Sequence, residues 1–338
     1  MAVSFDLSTV WAVLLAFVVL MYVIADGFDL GCGILFAVER GRRDRDVMVN
    51  SIAPVWDGNE TWLVLGGAGL LAVFPLAYSI ILPALYPTVL GMLLALIFRG
   101  VAFEFRFRAH SEPGRARWDF VFFAGSTAAA LFQGLTLGGL LQGIQVEDGA
   151  YAGGWWDWLT PFTVLCGLAV VVGYALLGAC WLLWRTSGEL HDRARNQAWW
   201  LGWAMLGMIA AVSLWTPFLR GDLAHRWFSW PGILFTAPVP ILVALLALGF
   251  FRSLGTKREV APFLCALGWF VLSFIGLGIS MFPLIVPPDI TIWDAAAPRD
   301  SQMFLLVGAA VMIPVIMAYS GYAYWVFRGK VEHDAGYH

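Results

Sequence analysis

The stretch PVWDGNETWLVLGGAGLLAVFPL, residues 54–76, joins a short acidic beginning to a long apolar run. About 20 mainly apolar residues are enough for a helix to cross the hydrocarbon core of a bilayer. Asp57 and Glu60 would therefore stand near one end of a membrane helix. Carboxylates are costly in lipid and usually mark a functional position, so this stretch raises the question of what the two acids do.

The composition agrees with an integral membrane protein. Of 338 residues, 60% are hydrophobic and 13% are charged, whereas soluble domains carry about 25% charged residues. Long apolar runs favour helices over the short alternating segments of a membrane barrel. We predict an all-α polytopic membrane protein with nine transmembrane helices, and its net charge of −3 gives no sign of a nucleic-acid partner. The predicted spans are 9–37, 54–76, 78–98, 118–141, 160–184, 198–217, 233–251, 260–284 and 302–327.

Basic residues predict the orientation of these spans. Seventeen of the 20 Lys and Arg residues, Arg40 and Lys257 among them, fall in the loops on one side, and the other side holds Arg220, Arg226 and Arg299. The positive-inside rule assigns the basic side to the cytoplasm. The N-terminus is then outside and the C-terminus cytoplasmic, which requires an odd number of spans.

The first span contains a second pair of acids, in MYVIADGFDLGCGILF at residues 21–36. Asp26 and Asp29 lie about 5 and 9 Å beyond the midpoint of that span, at 1.5 Å per residue. Asp57 and Glu60 lie at similar depths on the cytoplasmic side, about 5 and 9 Å from the end of the second span. Each pair has i, i+3 spacing and therefore shares a helix face.

Two further residues are candidate partners of these acids. Asn59 lies between the second pair, and Arg99 closes the third span at a similar depth. Buried carboxylates beside one another and beside an arginine can exchange protons near neutral pH. The structural alternatives are that Asp57 favours the start of its helix through the helix dipole and that Asp29 pairs with Arg99.

Glycine spacing predicts two close helix contacts. Gly27 and Gly31 have GxxxG spacing, as do Gly134 and Gly138. Small residues at this spacing let two membrane helices approach closely.

Histidine is informative by its position. All five histidines fall in predicted loops or in the tail, so none lies inside a predicted span where it could ligate a haem or a metal. They are His110, His191, His225, His333 and His338. Nucleotide-binding glycine motifs are missing as well. Two classes of protein remain open: an independent proton or solute transporter, and a non-catalytic partner within a membrane enzyme.

Six stretches together resemble subunit II of the cytochrome bd quinol oxidases. They are ADGFDLGCGIL (25–35), NSIAPVWDGNETWLVLGGAGLLAVFP (50–75), FRGVAFEFR (98–106), TSGELHDRAR (186–195), SMFPLIVP (280–287) and TIWDA (291–295). The resemblance covers essentially the whole chain, and its two aspartate motifs are long and specific.

The resemblance implies a subunit of a terminal oxidase in the bacterial cytoplasmic membrane, which oxidises quinol and reduces O2 to water. It implies two four-helix bundles plus one extra helix, and a heterodimer with a subunit I that carries haems b558, b595 and d. Subunit II would bind no cofactor through ligands of its own. The family also suggests small accessory subunits and a structural quinone or lipid as further components. The cyanide-insensitive branch of the family is one branch to which this chain could belong.

The motifs also imply roles for individual residues. A proton pathway from the cytoplasm is expected at Asp57, and Glu60 adds an acid where some members have glutamine. The remaining acids of the predicted pathway and its supporting residues are Asp26, Asp29, Asn59, Arg99, Trp56 and Trp62.

Overall fold

The computed structural model describes residues 6–39, 41–256 and 258–331. Arg40, Lys257, His333 and His338 lie outside the described residues. The first half of the chain forms α1 (Leu7–Ile34), α2 (Arg42–Ile52), α3 (Trp56–Val73), α4 (Pro75–Ala84), α5 (Tyr86–Arg108), α6 (Glu112–Gln142) and the hairpin β1 (Val146–Glu147) and β2 (Ala150–Tyr151). The second half forms α7 (Pro161–Arg185), α8 (Gly188–Trp215), α9 (Gly221–Phe228), α10 (Ile233–Thr236), α11 (Pro238–Gly255), α12 (Ala261–Met281), the hairpin β3 (Leu284–Val286) and β4 (Ile290–Thr291), and α13 (Arg299–Val326).

Within the described residues, eight helical segments are long and apolar enough to cross a membrane. They are α1, α5, α6, α7, α8, α11 together with α10, α12 and α13. Helix α3 is not among the eight because its first turns carry Asp57, Asn59 and Glu60. It nevertheless runs antiparallel to α1, with Asn59 opposite Ala25 and Gly69 opposite Leu15.

The predicted third span, 78–98, differs from the structure. The chain instead forms the ten-residue helix α4 and then α5, with a break at Leu85. Pro83 and Pro87 flank this break. Proline removes a backbone donor and restricts the residue before it, so one continuous helix is disfavoured here.

The predicted glycine contacts are confirmed by the packing of α1 on α7 and of α6 on α7. A Cβ atom at Gly31 would lie 1.9 Å from the backbone oxygen of Tyr174, and one at Gly178 would lie 2.4 Å from the carbonyl carbon of Gly31. A Cβ atom at Gly134 would lie 2.4 Å from the backbone oxygen of Cys166. Because no side chain fits at these positions, glycine sets the distance between the helices.

The two ends of the helix bundle differ in chemistry. At one end, α4 packs against both hairpins, and the Ile144 amide donates to the Pro287 carbonyl across 2.8 Å. At the other end, α2 is held by ion pairs. Arg45 lies 2.8 Å from Asp119, and Asp44 lies 2.6 Å from Arg193. The second end is therefore the one where the basic residues of the sequence gather.

Candidate functional site

Helices α1 and α3 bring two carboxyl groups to the guanidinium of Arg99 on α5, and a third carboxyl group, that of Asp29, lies one turn further along α1. Nη1 of Arg99 lies 3.3 Å from an oxygen of Asp26 and 3.7 Å from an oxygen of Glu60. The side chains of Asp26, Asp29 and Arg99 are fully buried, and Glu60 keeps 28% of its side-chain surface exposed. The glycine face of α1 packs on α7, which leaves its aspartates to face α3 and α5.

Asp29 is held by a different set of contacts. The side-chain amide of Asn59 donates to Asp29 across 2.7 Å and to the Ala25 carbonyl across 3.2 Å. The Asn59 oxygen in turn accepts a hydrogen bond of 2.7 Å from the hydroxyl of Tyr324. Helices α1, α3 and α13 are thus linked through one amide whose donors and acceptor are all used.

Several polar atoms of this cluster have no hydrogen-bond partner in the protein. They are both carboxylate oxygens of Asp26, one of Asp29, and all three guanidinium nitrogens of Arg99. Buried polar groups are normally hydrogen-bonded to protein or to ordered water. In addition, three carboxyl groups face a single cation, and uncompensated buried charge is expensive. Charge balance therefore favours a cluster that holds protons on some of its carboxyl groups.

The predicted tryptophans have different positions. The Trp56 ring lies under the Arg99 guanidinium, 5.7 Å from its centroid, and against Phe103. Trp62 is 1% exposed and packs with Tyr22 in an apolar cluster. Trp56 thus contacts the charged site directly, whereas Trp62 is core.

Asp57 stands apart from the buried cluster. It lies in the first turn of α3, where no side-chain bond caps the helix, and it lines a cleft of about 460 Å³. Other residues around this cleft are Trp56, Asn59, Glu104, Tyr319, Ser320 and Tyr324. Asn59 and Tyr324 therefore both border the cleft, and Asn59 also contacts Asp29.

Three contributors were missed by the sequence analysis. Tyr324 lies in the aromatic segment YSGYAYW, whose composition is typical of residues at the membrane interface. No local pattern therefore distinguished Tyr324 from the neighbouring aromatic residues. Glu104 was hidden among the charged residues that close α5. Gln133, which is hydrogen-bonded to Tyr22 and Tyr174 next to the cluster, is a lone amide in the apolar run LFQGLTL, and that polarity within a span was an available signal.

The described histidines lie near helix ends or in a short connecting helix. His110 follows α5, His191 lies in the first turn of α8 beside Arg195, and His225 lies in the short helix α9. Among residues 6–39, 41–256 and 258–331, no group of three or more metal-binding side chains lies together.

The fold and site define a polytopic helical membrane protein with a buried carboxylate–arginine cluster that adjoins a cleft. Its sequence matches the family described as cytochrome bd terminal oxidase subunit II over residues 7–327. Cytochrome bd-I ubiquinol oxidase subunit 2 of Escherichia coli K12 is 30% identical, over 97% of this chain and 96% of the relative. Cytochrome bd ubiquinol oxidase subunit 2 of Bacillus subtilis 168 is 27% identical, over 97% and 98%.

A solved structure shows the same fold. The bd oxidase from Geobacillus thermodenitrificans contains a chain that superposes with a TM-score of 0.75 at 17% identity, covering 95% of this chain and 98% of that one. The chain belongs to the cytochrome bd oxidase subunit II family. It is accordingly a subunit of an oxidoreductase complex, which decides against the independent transporter that the residues alone left open.

Proposed function

We propose that this chain is the haem-free subunit II of a bd-type quinol oxidase in a bacterial cytoplasmic membrane. It pairs with a subunit I that carries haems b558, b595 and d, and the complex transfers electrons from quinol to O2 to form water. Family membership across nearly the whole chain supports the assembly. The positions of the described histidines support a partner as the holder of the haems.

We further propose nine crossings, with α3 as the ninth. At 1.5 Å per residue, its 18 residues extend about 27 Å, close to the roughly 30 Å of the hydrocarbon core. The end that carries α2 then faces the cytoplasm, since the basic residues gather there. The cleft beside Asp57 opens at that end.

The function of the polar cluster is proton uptake from the cytoplasm. Asp57 and Glu104 would collect protons at the cleft, and water beside the Tyr324–Asn59 pair would carry them to Asp29, which the Asn59 amide holds in place without relaying a proton itself. Water molecules would complete the unpaired donors and acceptors around Asp26 and Arg99, since buried polar sites commonly hold them. Protons would then pass to the haem-bearing partner.

One observation carries this proposal: Asn59 borders the cleft and donates to the fully buried carboxyl group of Asp29, and its oxygen accepts from Tyr324, which borders the same cleft. An arrangement that only stabilised the fold would not need solvent access at this point. The contact supplies a short connection between the aqueous surface and the cluster.

The experiment compares Asp57→Asn with Glu189→Gln in the purified complex reconstituted in vesicles. Glu189 is an exposed acid near the basic end, 95% accessible at its side chain and outside the cleft. We expect Asp57→Asn to slow quinol-driven O2 uptake and the growth of membrane potential about tenfold or more, as loss of a proton-transfer group commonly does. The control should match the wild type. Normal turnover by a fully haem-loaded Asp57→Asn complex would refute the route.

A further inference from the structure

A second chain of hydrogen bonds leaves the cluster away from the cleft. The Gln133 amide on α6 donates to the Tyr22 hydroxyl on α1 across 2.6 Å. The Tyr174 hydroxyl on α7 donates to the Gln133 oxygen across 2.7 Å. Tyr22 and Tyr174 are 4% and 1% exposed, so this chain lies in the interior where α1, α6 and α7 meet.

The donors of this chain all point one way. Tyr174 donates to Gln133, and Gln133 donates to Tyr22, so the hydroxyl hydrogen of Tyr22 is left for another acceptor. Asp26 lies one turn further along α1, on the helix face that it shares with Tyr22, and neither of its carboxylate oxygens has a hydrogen-bond partner in the protein. Each donor in such a series polarises the next, and the effect is largest when the last acceptor is charged.

This chain does not suit proton conduction. A carboxamide passes a proton only through its high-energy imidic tautomer, so Gln133 interrupts any relay between the two tyrosines. It suits the opposite task, which is to hold a fixed set of dipoles toward one anion.

The charged and titratable groups around Asp26 come from several neighbouring helices. Arg99 on α5 is the cation, and Glu60 on α3 and Asp29 on α1 are the competing acids. The tyrosines that face this region are Tyr22, Tyr174 and Tyr324. Asp26 alone combines the shortest contact to Arg99 with the directed hydroxyl, whereas Asp29 is bonded to the amide that borders the cleft.

We propose that Gln133 is a positioning residue that orients Tyr22 and thereby keeps Asp26 as the permanent anion of Arg99, leaving proton exchange to Asp29 and Glu60. This inference rests on the proposed proton uptake for its biological meaning. The charge state of Asp26 in the resting complex does not depend on proton uptake and can be measured without it.

The test records infrared spectra of the protonated carboxyl region of the resting heterodimeric complex near neutral pH. Gln133→Leu removes the donor to Tyr22, and the spectrum of this variant should show one additional protonated-carboxyl band. That band should be absent from the double variant Gln133→Leu/Asp26→Asn. Tyr174→Phe keeps the ring packing and should give the same band with smaller amplitude. Gln142→Leu is the matched control, since Gln142 lies on the same helix and accepts from Thr160 away from the cluster.

Each outcome of this experiment either supports the inference or contradicts it. A new band that disappears with Asp26→Asn supports the inference. The inference is overturned by a fully haem-loaded Gln133→Leu complex without a new band, or by a band that survives Asp26→Asn or also appears in the Gln142→Leu control. Where Gln133→Leu does not assemble, the Tyr174→Phe spectrum decides in the same way. Because these spectra need no turnover, they stay informative even if the Asp57→Asn experiment disproves proton uptake.

Discussion

Asn59 donates a hydrogen bond of 2.7 Å to the buried carboxyl group of Asp29, and these residues are 30 positions apart on antiparallel helices. The bond joins the two acidic motifs of the sequence into one site. It also makes Asn59 the point at which the cleft meets the cluster, since its oxygen accepts from Tyr324.

Tyr324→Phe should slow turnover without affecting assembly. The ring remains in place, but the Asn59 oxygen loses its donor and the connection from the cleft loses a hydroxyl. We expect a several-fold fall in quinol-driven O2 uptake with normal haem content. Tyr322→Phe, on the same helix with 63% of its surface exposed, should behave as the wild type. Equal rates in both variants would remove Tyr324 from the pathway.

Arg99→Leu should destabilise the complex, because Asp26 would be left without its cation. Removal of one partner from a buried ion pair costs about 3–5 kcal/mol, and Asp26 lowers that cost when it takes up a proton. We expect a lower midpoint of thermal unfolding and loss of haem from the purified complex. The double variant Arg99→Leu/Asp26→Asn should recover part of the loss, and no recovery would mean that the pair is not coupled.

Gly31→Ala should separate α1 from α7. The added Cβ would lie 1.9 Å from a backbone oxygen, and overpacking costs about 1–3 kcal/mol, or more where backbone must move. Complex yield and thermal midpoint should both fall. Gly67→Ala adds the same atom where nothing lies within 4 Å, and it should leave both quantities unchanged.

Asp6→Ala should lower stability in a pH-dependent way. The pKa of Asp6 is lowered because the side chains of Thr9 and Trp293 donate hydrogen bonds to its carboxylate. A carboxyl group with a lowered pKa stabilises the fold above its unfolded pKa, here about 3.8, and loses that contribution as the pH falls through the folded pKa. Asp6 also caps α1, because its carboxylate accepts from the Ser8 amide across 3.1 Å. Loss of such a helix cap costs about 0.5–2 kcal/mol.

The thermal midpoints of wild type and Asp6→Ala should therefore differ at neutral pH and converge in strong acid. Glu147→Ala, at an exposed hairpin position, serves as the comparison. A difference that stays constant down to the lowest pH at which the complex unfolds reversibly would contradict the assignment.

Much of the architecture was predictable from local patterns. The eight helical segments found long and apolar enough to cross a membrane correspond to predicted spans, and the glycine pairs in α1 and α6 mark real close contacts. The bounds of the predicted third span were less accurate. Pro83 and Pro87 cause the break between α4 and α5, because proline lacks a backbone hydrogen-bond donor. A hydropathy profile does not show where such a donor is missing.

The position of the acids was predictable from spacing, and their pairing was less so. Sequence spacing placed Asp26, Asp29 and Glu60 near Arg99, and the structure brings Asp26 and Glu60 to Arg99 and Asp29 to Asn59. The alternative pair of Asp29 with Arg99 is not formed. Asp57 lies in the cleft instead of the cluster.

The sequence by itself determined that this chain lies in a membrane and that its acids fall in polar patches of apolar helices. It could do so because a span must be apolar and must satisfy its own backbone hydrogen bonds, which are properties of one contiguous stretch. Only the tertiary structure decided that Tyr324 reaches Asn59 across 265 positions and that Gln133 bridges Tyr22 and Tyr174. Those contacts depend on how each helix is rotated against its neighbours, and close packing between distant segments sets that rotation.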